Sequence, residues 1–256
     1  MTTTEHQIEI VALIPARGGS KSIPRKNLLM IAGKPLIAYS IEHALASRYV
    51  TRTLVSTDDP EIAQVARDFG AEVPFLRPSE LAQDLSPDVD VFRHALAWLR
   101  DRQSYSCELV VHLRPTGPVR RVDVIDRAIE LMVNRPDADS LRSVSRPIET
   151  PYKMWRIVDS YLEPLLQIPG VGEPYCAPRQ SLPEVYWQNG YVDIVRSRVI
   201  LDDALMCGRK IVPFVIEEPI FELDYADSIS RVEAALLRAQ EGTWPCADDA
   251  GKRYPV

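Results

Sequence analysis

The chain has little sulfur or imidazole with which to hold a metal: four cysteines and four histidines in 256 residues. Cys107, Cys176, Cys207 and Cys246 are scattered, with no C-x-x-C pair. That excludes a zinc ribbon and a disulfide framework, and the four read as reduced thiols of a cytoplasmic protein. His6, His43, His94 and His112 are equally dispersed, so capture of a metal by imidazole has no support in the pattern. No apolar run approaches the length of a bilayer span, and the polar start Met1-Thr2-Thr3-Thr4-Glu5-His6 does not read as a signal peptide. An excess of positive charge is missing too. Lysine and arginine number 30 against 36 aspartates and glutamates, a net charge of −6. A general nucleic-acid binder needs a broad basic face, which this balance excludes. Internal repeats, low-complexity tracts, the G-x-G-x-x-G dinucleotide fingerprint and a Walker A Gly-Lys-Ser/Thr are all absent.

What is present is ordinary globular material, 46% hydrophobic and 26% charged, enough for one α/β domain. Short apolar runs alternate with amphipathic stretches. The run Ile8 to Ile14, apolar but for Glu9, predicts a buried parallel strand, and Thr53 to Ser56, Glu72 to Phe75, Leu109 to Leu113 and Ser140 to Val144 predict further strands. Helices are expected over Pro35 to Ser47, Pro60 to Phe69, Val89 to Asp101 and Val122 to Val133. Asp59 stands as N-cap before Pro60 at the first helical position. This alternation implies a parallel sheet with helices on both faces, with ligands beyond the carboxyl ends of the strands.

The rhythm breaks over residues 146 to 187, where seven prolines exclude long helices and central strands. The stretch is either a surface excursion or an arm that covers the site or clasps a partner subunit. Strands at Gly190 to Val195 and Lys210 to Ile216 and a helix at Ser228 to Ala239 close the domain. The expected organisation is one domain over 1 to 240, arm included, and a loosely ordered tail over 241 to 256.

Against the acidic background, positive charge is concentrated in one place. Leu13-Ile14-Pro15-Ala16-Arg17-Gly18-Gly19-Ser20-Lys21-Ser22-Ile23-Pro24-Arg25-Lys26-Asn27 carries four cations between residues 17 and 26 and no acid. A glycine pair lets the backbone turn and offer N–H groups to an anion. Arg17 and Lys21 can neutralise phosphate oxygens. A solvated basic loop is the plain alternative, but a position directly after a buried strand favours phosphate binding.

This loop resembles the signature of the acylneuraminate cytidylyltransferase family, the CMP-sialic acid and CMP-nonulosonic acid synthetases. The similarity continues through Gly33-Lys34-Pro35-Leu36-Ile37-Ala38-Tyr39-Ser40, Ser56-Thr57-Asp58-Asp59 and Arg77-Pro78-Ser79-Glu80-Leu81-Ala82-Gln83-Asp84. It then runs through Arg114-Pro115-Thr116-Gly117-Pro118-Val119-Arg120 and Gln188-Asn189-Gly190 to Glu222-Leu223-Asp224. The resemblance implies a Rossmann-like nucleotidyltransferase fold with a mainly parallel sheet and a protruding dimerisation arm, hence an active homodimer. It implies transfer of CMP from CTP to a sialic-acid-like 2-keto sugar acid with release of pyrophosphate, and Mg2+ as cofactor.

By the same resemblance the triphosphate falls to Arg17, Ser20 and Lys21, and Asn27 contacts the nucleotide, with Ala16, Gly18 and Gly19 as further nucleotide-binding candidates of the loop. Lys21, with Arg17, is the candidate for stabilising charge at the α-phosphate. Lys26 either joins them or only shields the loop. Arg77 can present a forked donor to a base carbonyl, and backbone groups near Ala82 and Ser86 can read a pyrimidine edge. Ser86 or Asp88 can equally begin the next helix, and Asp58 is a further candidate beside the capping Asp59. Glu222 and Asp224 point to one side of an extended chain and suit Mg2+ as a hard-oxygen anchor. The family usually has Asp-Ile-Asp there, and Asp227 can assist or cap the last helix.

Two departures bear on the acceptor. The family's Gln-Pro-Thr-Ser-Pro-Leu-Arg begins here with Arg114, which implies a different or more anionic acceptor. Its Asn-Gly-Ala-Ile-Tyr becomes Asn189-Gly190-Tyr191-Val192-Asp193, and Tyr191 fills space that alanine leaves open. Acceptor candidates are Arg114, Thr116, Arg142, Arg179, Gln180, Asn189 and Tyr191. A sugar 1-phosphate nucleotidyltransferase of the same architecture, with GTP a candidate donor, is the rival reading, which Arg114 suits. A non-catalytic nucleotide-sugar-binding protein is the third, and it predicts a damaged loop or missing carboxylates. No histidine has the context of a general base, so positioning and metal-assisted electrostatics carry the chemistry.

Overall fold

The computed structural model describes residues 8–245. His6, Cys246 and the tail beyond residue 245 lie outside the described residues. In chain order the elements are β1 (Ile10–Pro15), β2 (Met30–Ile31), β3 (Lys34–Pro35), α1 (Leu36–Ala46), β4 (Arg52–Ser56), α2 (Pro60–Asp68) and α3 (Asp88–Gln103). They continue with β5 (Leu109–His112), α4 (Val122–Val133), β6 (Ser140–Ser145), β7 (Trp155–Val158), β8 (Tyr161–Pro164), β9 (Trp187–Arg196), α5 (Ser197–Leu201), β10 (Ile211–Val215) and α6 (Ile229–Gln240).

Six strands form one sheet in the order β10-β6-β9-β5-β1-β4. β1 pairs in parallel with β4 and β5, and β9 runs antiparallel to β5 with His112 opposite Asp193. The unbroken apolar run of β1 follows from burial on both faces. Ile10, Ala12 and Ile14 enter one core cluster with side chains of α1, α2 and α4, while Val11 and Leu13 enter another with α3 and α5. A strand's side chains alternate, so a strand covered on both sides favours an apolar residue at nearly every position. Each such fully buried aliphatic contributes about 1.5–3 kcal/mol relative to exposure. A third cluster joins α6 to Ile23, Ile31, Leu36, Tyr39, Phe221 and Leu223, behind the loop that follows β1.

Local signals explain the element ends. Asp59 caps α2, its side chain accepting from the Glu61 and Ile62 amides, with Pro60 next in line. The expected strand at Glu72 to Phe75 does not form. Glu72 makes one isolated parallel bridge to Leu54, and Pro74 removes the donor that the next rung needs.

By packing, the chain divides into two units, one formed by the chain up to Ser143 and from Gly190 onward, the other Val144–Asn189. The second unit contains the antiparallel hairpin β7–β8, turned by Asp159 and Ser160 at φ 48° and 68°. Positive φ at both loop positions is the geometry that matches hairpin twist. Three one-turn 3-10 helices, Pro151–Lys153, Pro174–Cys176 and Arg179–Ser181, punctuate the rest, each beginning at or directly after a proline. Apolar and aromatic side chains on the hairpin remain exposed, Ile157, Tyr161 and Leu162 most of all.

Candidate active site

A cleft of about 470 Å3 opens at the carboxyl ends of β1 and β5. Its lining includes Arg17, Ser20, Lys21, Lys26, Asn27, Arg77, Ser86, Asp88, Arg114 and Thr116. The cations of the lining are Arg17, Lys21, Lys26, Arg77 and Arg114, against the carboxylates Asp84 and Asp88. Five positive against two negative charges leave a local surplus in a chain that is acidic overall. That is the arrangement that concentrates a small polyanion.

The loop after β1 is held from both sides. Ala16 donates its amide to Ser56 O at 2.9 Å, and Gly18 donates its amide to Asp58 Oδ1 at 3.0 Å. Asp58 therefore shapes the loop. Asn27, buried, donates its side-chain amide to Arg17 O at 2.9 Å and so fixes the loop beneath the cleft. Asp84 reaches into this region: its carboxylate pairs with Arg17 at 3.1 Å and with Lys21 more closely still. The Lys21 hydrogen bond, aided by the charges of Lys21 and Arg17, holds the Asp84 carboxyl below its ordinary range. One carboxylate thus occupies an anion position between the two cations expected to bind phosphate. Lys26 is half-buried, and burial lowers its pKa against the opposing pull of Asp224, 3.8 Å away.

Arg77 is 6% exposed, and its guanidinium is anchored on the end of β4, Nε donating to Ser56 Oγ at 3.1 Å and Nη2 to Ser56 O. Burial lowers its pKa to about 10, so it remains a cation at neutral pH. The amides near Ala82 and Ser86 are committed locally. Ala82 N–H donates to Ser79 O at 3.1 Å, and Ser86 N–H to Gln83 O at 3.1 Å. Near those two residues it is carbonyl oxygens, rather than these amides, that are left to meet a ligand.

The segment Arg114–Thr116 is pinned from behind by Arg120, a residue whose role was not apparent from the sequence. Arg120 is 2% exposed and donates to Tyr191 O, Ser40 Oγ and Arg114 O at 2.6, 3.1 and 2.7 Å. Thr116 O in turn accepts the Leu223 amide at 2.7 Å, which ties the Glu222–Asp224 segment to the same turn. Gly190, at φ 65°, leaves room for both sides: a Cβ there would meet Glu222 Oε1 at 3.1 Å and Arg114 Nη1 at 3.5 Å. Glu222 and Asp224 do not line the cleft itself, but Asp224 borders it through Lys26. Among the described residues no group of three or more His, Cys, Asp or Glu side chains gathers as a metal cage. Asp224 lies beside the loop after β1 and Glu222 beside Gly190, and carboxylates of this kind have the hard-oxygen chemistry that suits a divalent cation such as Mg2+.

The remaining acceptor candidates separate. Tyr191 is 4% exposed, packs in the core, and accepts the Arg121 amide on its hydroxyl at 2.6 Å. Its side chain is no part of the cleft lining. Arg142 is likewise buried and bonded inward, with Nη2 donating to Met206 O at 2.8 Å and Nη1 paired with Asp193 at 2.6 Å. Within the second unit, Arg179 donates to Pro147 O, Asn189 donates to Ser145 Oγ, and Gln180 is exposed. The two departures from the family pattern meet in space: Arg114 Nη1 lies 2.7 Å from Asp193 Oδ2. His112, which sequence reasoning passed over, also lines the cleft.

Comparison with known proteins bears on this geometry. A family model described as Cytidylyltransferase matches residues 11–163. The chain is 41% identical to a pseudaminic acid cytidylyltransferase of Campylobacter jejuni over 48% of this chain and 53% of that protein. It is 41% identical to a CMP-N,N'-diacetyllegionaminic acid synthase of Legionella pneumophila over 60% of this chain and 64% of that protein. The chain thus spans about half to just under two thirds of these relatives' lengths. Its fold is that of a CMP:2-keto-3-deoxy-manno-octonic acid synthetase solved in complex with CTP, with a TM-score of 0.67 at 20% identity over 91% of this chain and 99% of that one.

Proposed function

The chain belongs to the cytidylyltransferase family, and from that premise we propose that it transfers CMP from CTP to a nonulosonic or related 2-keto sugar acid. The anomeric hydroxyl of the acid attacks the α-phosphate in line. The new sugar–phosphate bond replaces the α–β anhydride bond, and pyrophosphate leaves. The observation that carries this reading is the cleft itself, where the cations of the loop after β1 face Arg114 across a space large enough for a nucleotide.

The roles follow from placement. The loop from Ala16 to Ser20, shaped by the bonds that the Ala16 and Gly18 amides make to Ser56 and Asp58, offers the amides of Arg17, Gly19 and Ser20, which with the Arg17 and Lys21 side chains bind the triphosphate once its phosphates displace Asp84. Lys21 opposes the charge that grows at the α-phosphate. Arg77 donates to a base carbonyl, and carbonyl oxygens near Ala82 and Ser86 accept from the cytosine amino group. Arg114 and Thr116 receive the acceptor. Glu222 and Asp224 would hold Mg2+, which when bound supplies positive charge against the triphosphate.

The exposed apolar side chains of the β7–β8 hairpin support an arm that packs on a second copy of the chain, hence a homodimer. No helix among the described residues is long and apolar enough to cross a membrane. The need for CTP as substrate and the three free cysteines among the described residues support a cytoplasmic enzyme.

The test is pyrophosphate release with CTP, GTP, UTP and ATP and Mg2+, against nonulosonic acids and against sugar 1-phosphates. Release confined to CTP with an acid is expected. Release confined to a sugar 1-phosphate would overturn the acceptor assignment.

A further inference from the structure

Three neighbouring strands carry polar side chains to the cleft end of the sheet. His112 ends β5, Asp193 stands opposite it on β9, and Arg142 lies on β6, next in the sheet order. Asp193 is 2% exposed and receives Arg142 Nη1 at 2.6 Å and Arg114 Nη1 at 2.7 Å on the same oxygen. Arg142 is fastened from its far side by Met206 O and Cys207 Sγ, each 2.8 Å from its Nη2. A line of restraint therefore runs from the loop before β10, through Arg142 and Asp193, to Arg114 in the cleft.

Two guanidinium groups thus share one carboxylate oxygen, and the far edge of Arg114 is left to the cleft, where its Nη2 lies 3.8 Å from the exposed Asp88. His112 lies in the field of these cations. Neither ring nitrogen has a hydrogen-bond partner among the described residues, and burial together with Arg114, Arg142 and Arg120 holds it neutral, well below its ordinary titration range.

We propose that Asp193 is a positioning residue for acceptor selection: it tethers one edge of the Arg114 guanidinium and turns the other edge into the cleft as the receptor for the acceptor's carboxylate. The tether also withholds Arg114 from the triphosphate, so the selection acts on the sugar acid and leaves CTP binding alone. A planar guanidinium suits this task because its two edges make separate, oriented hydrogen bonds. The inference rests on the sugar-acid reading above.

The test uses the full-length enzyme with saturating CTP and Mg2+. The acceptor is whichever of pseudaminic, N,N'-diacetyllegionaminic and N-acetylneuraminic acid it turns over, alongside the methyl ester of that acid. The variants are Arg114→Gln, Asp193→Asn and the double substitution. Each single variant should raise KM for the acid by roughly ten-fold or more, as loss of a charged hydrogen bond does, with KM for CTP within about two-fold. Both should also lose the wild-type preference for the acid over its ester, and the double should be no worse than Arg114→Gln. Retained discrimination against the ester, or an equal rise in KM for CTP, would overturn the proposal. If Asp193→Asn fails to fold, the double variant decides, because removing one cation with the carboxylate relieves their imbalance. A KM for the acid well above that of Arg114→Gln then defeats the idea. A wild-type enzyme inert towards every acid sinks the functional reading itself, whereas an active wild type with unaffected variants sinks only the role of Asp193.

Discussion

Gly18→Ala is expected to strain the phosphate loop through a contact that can be relieved from a second site. A Cβ at Gly18 would sit 2.8 Å from Asp59 Oδ2, 2.9 Å from its Cβ and 3.3 Å from its Cγ. Asp59 cannot step aside freely, because Oδ1 accepts from the Glu61 and Ile62 amides at 2.8 and 3.2 Å and Oδ2 meets Arg25 at 3.3 Å. Overpacking of this kind destabilises by about 1–3 kcal/mol. It also displaces the Gly18 amide from Asp58, so KM for CTP should rise by roughly ten-fold as the loop's donors lose their aim. Asp59→Gly removes every atom in the way. Glycine serves as an N-cap at a loss of only a few tenths of a kcal/mol, and the exposed pair with Arg25 contributes under about 1 kcal/mol. The double variant should therefore be about as stable as Asp59→Gly alone, a coupling of about 1–2 kcal/mol, with KM for CTP restored. Urea unfolding of the four proteins and CTP titration of their turnover measure both quantities. A Gly18→Ala protein as stable as wild type, or single effects that simply add, would refute the reasoning.

Asp84→Asn should lower KM for CTP, by roughly two- to five-fold at low salt and less at high salt, because the phosphates no longer displace a carboxylate from Arg17 and Lys21. A raised KM would contradict this. Tyr191→Phe leaves the Arg121 amide without its acceptor and should reduce stability by about 1–2 kcal/mol while KM for CTP stays unchanged. His43 is pushed down to about 3 by burial, with Arg120 and Lys34 adding to the shift, against an ordinary value of 6.5. Below 6.5 the unfolded chain binds a proton that the folded one refuses, so stability is full above that pH and falls as pH drops towards the folded value. The loss should be about 1.5 kcal/mol from pH 6.5 to about pH 5 for this one histidine, and His43→Leu should remove that share of the slope in urea titrations. An unchanged slope would show that His43 is protonated in the folded protein.

Much of the frame was legible because local chemistry dictates it. The unbroken run from Ile10 to Ile14 can only be a strand covered on both faces, and Asp59-Pro60 announces the start of α2. Prolines over 146 to 187 foretold the absence of long helices, though the Asp159-Ser160 hairpin escaped notice since neither residue is glycine. The strand expected near Glu72 failed where Pro74 interrupts the ladder. The antiparallel direction of β9 was invisible as well, because alternation of side chains is the same in either direction.

The sequence by itself determined the alternation of elements, the loop after β1 with its glycines and cations, and the pair of carboxylates at Glu222 and Asp224. Each is a property of neighbouring residues. Only the tertiary structure decided what those groups meet. It set Asp84 between Arg17 and Lys21, put Tyr191 and Arg142 into the interior, and joined Arg114 to Asp193 across 79 positions of sequence. Charge pairing of this kind depends on distance in space, and a strand that enters the sheet between two others supplies that distance without leaving a local mark in the chain.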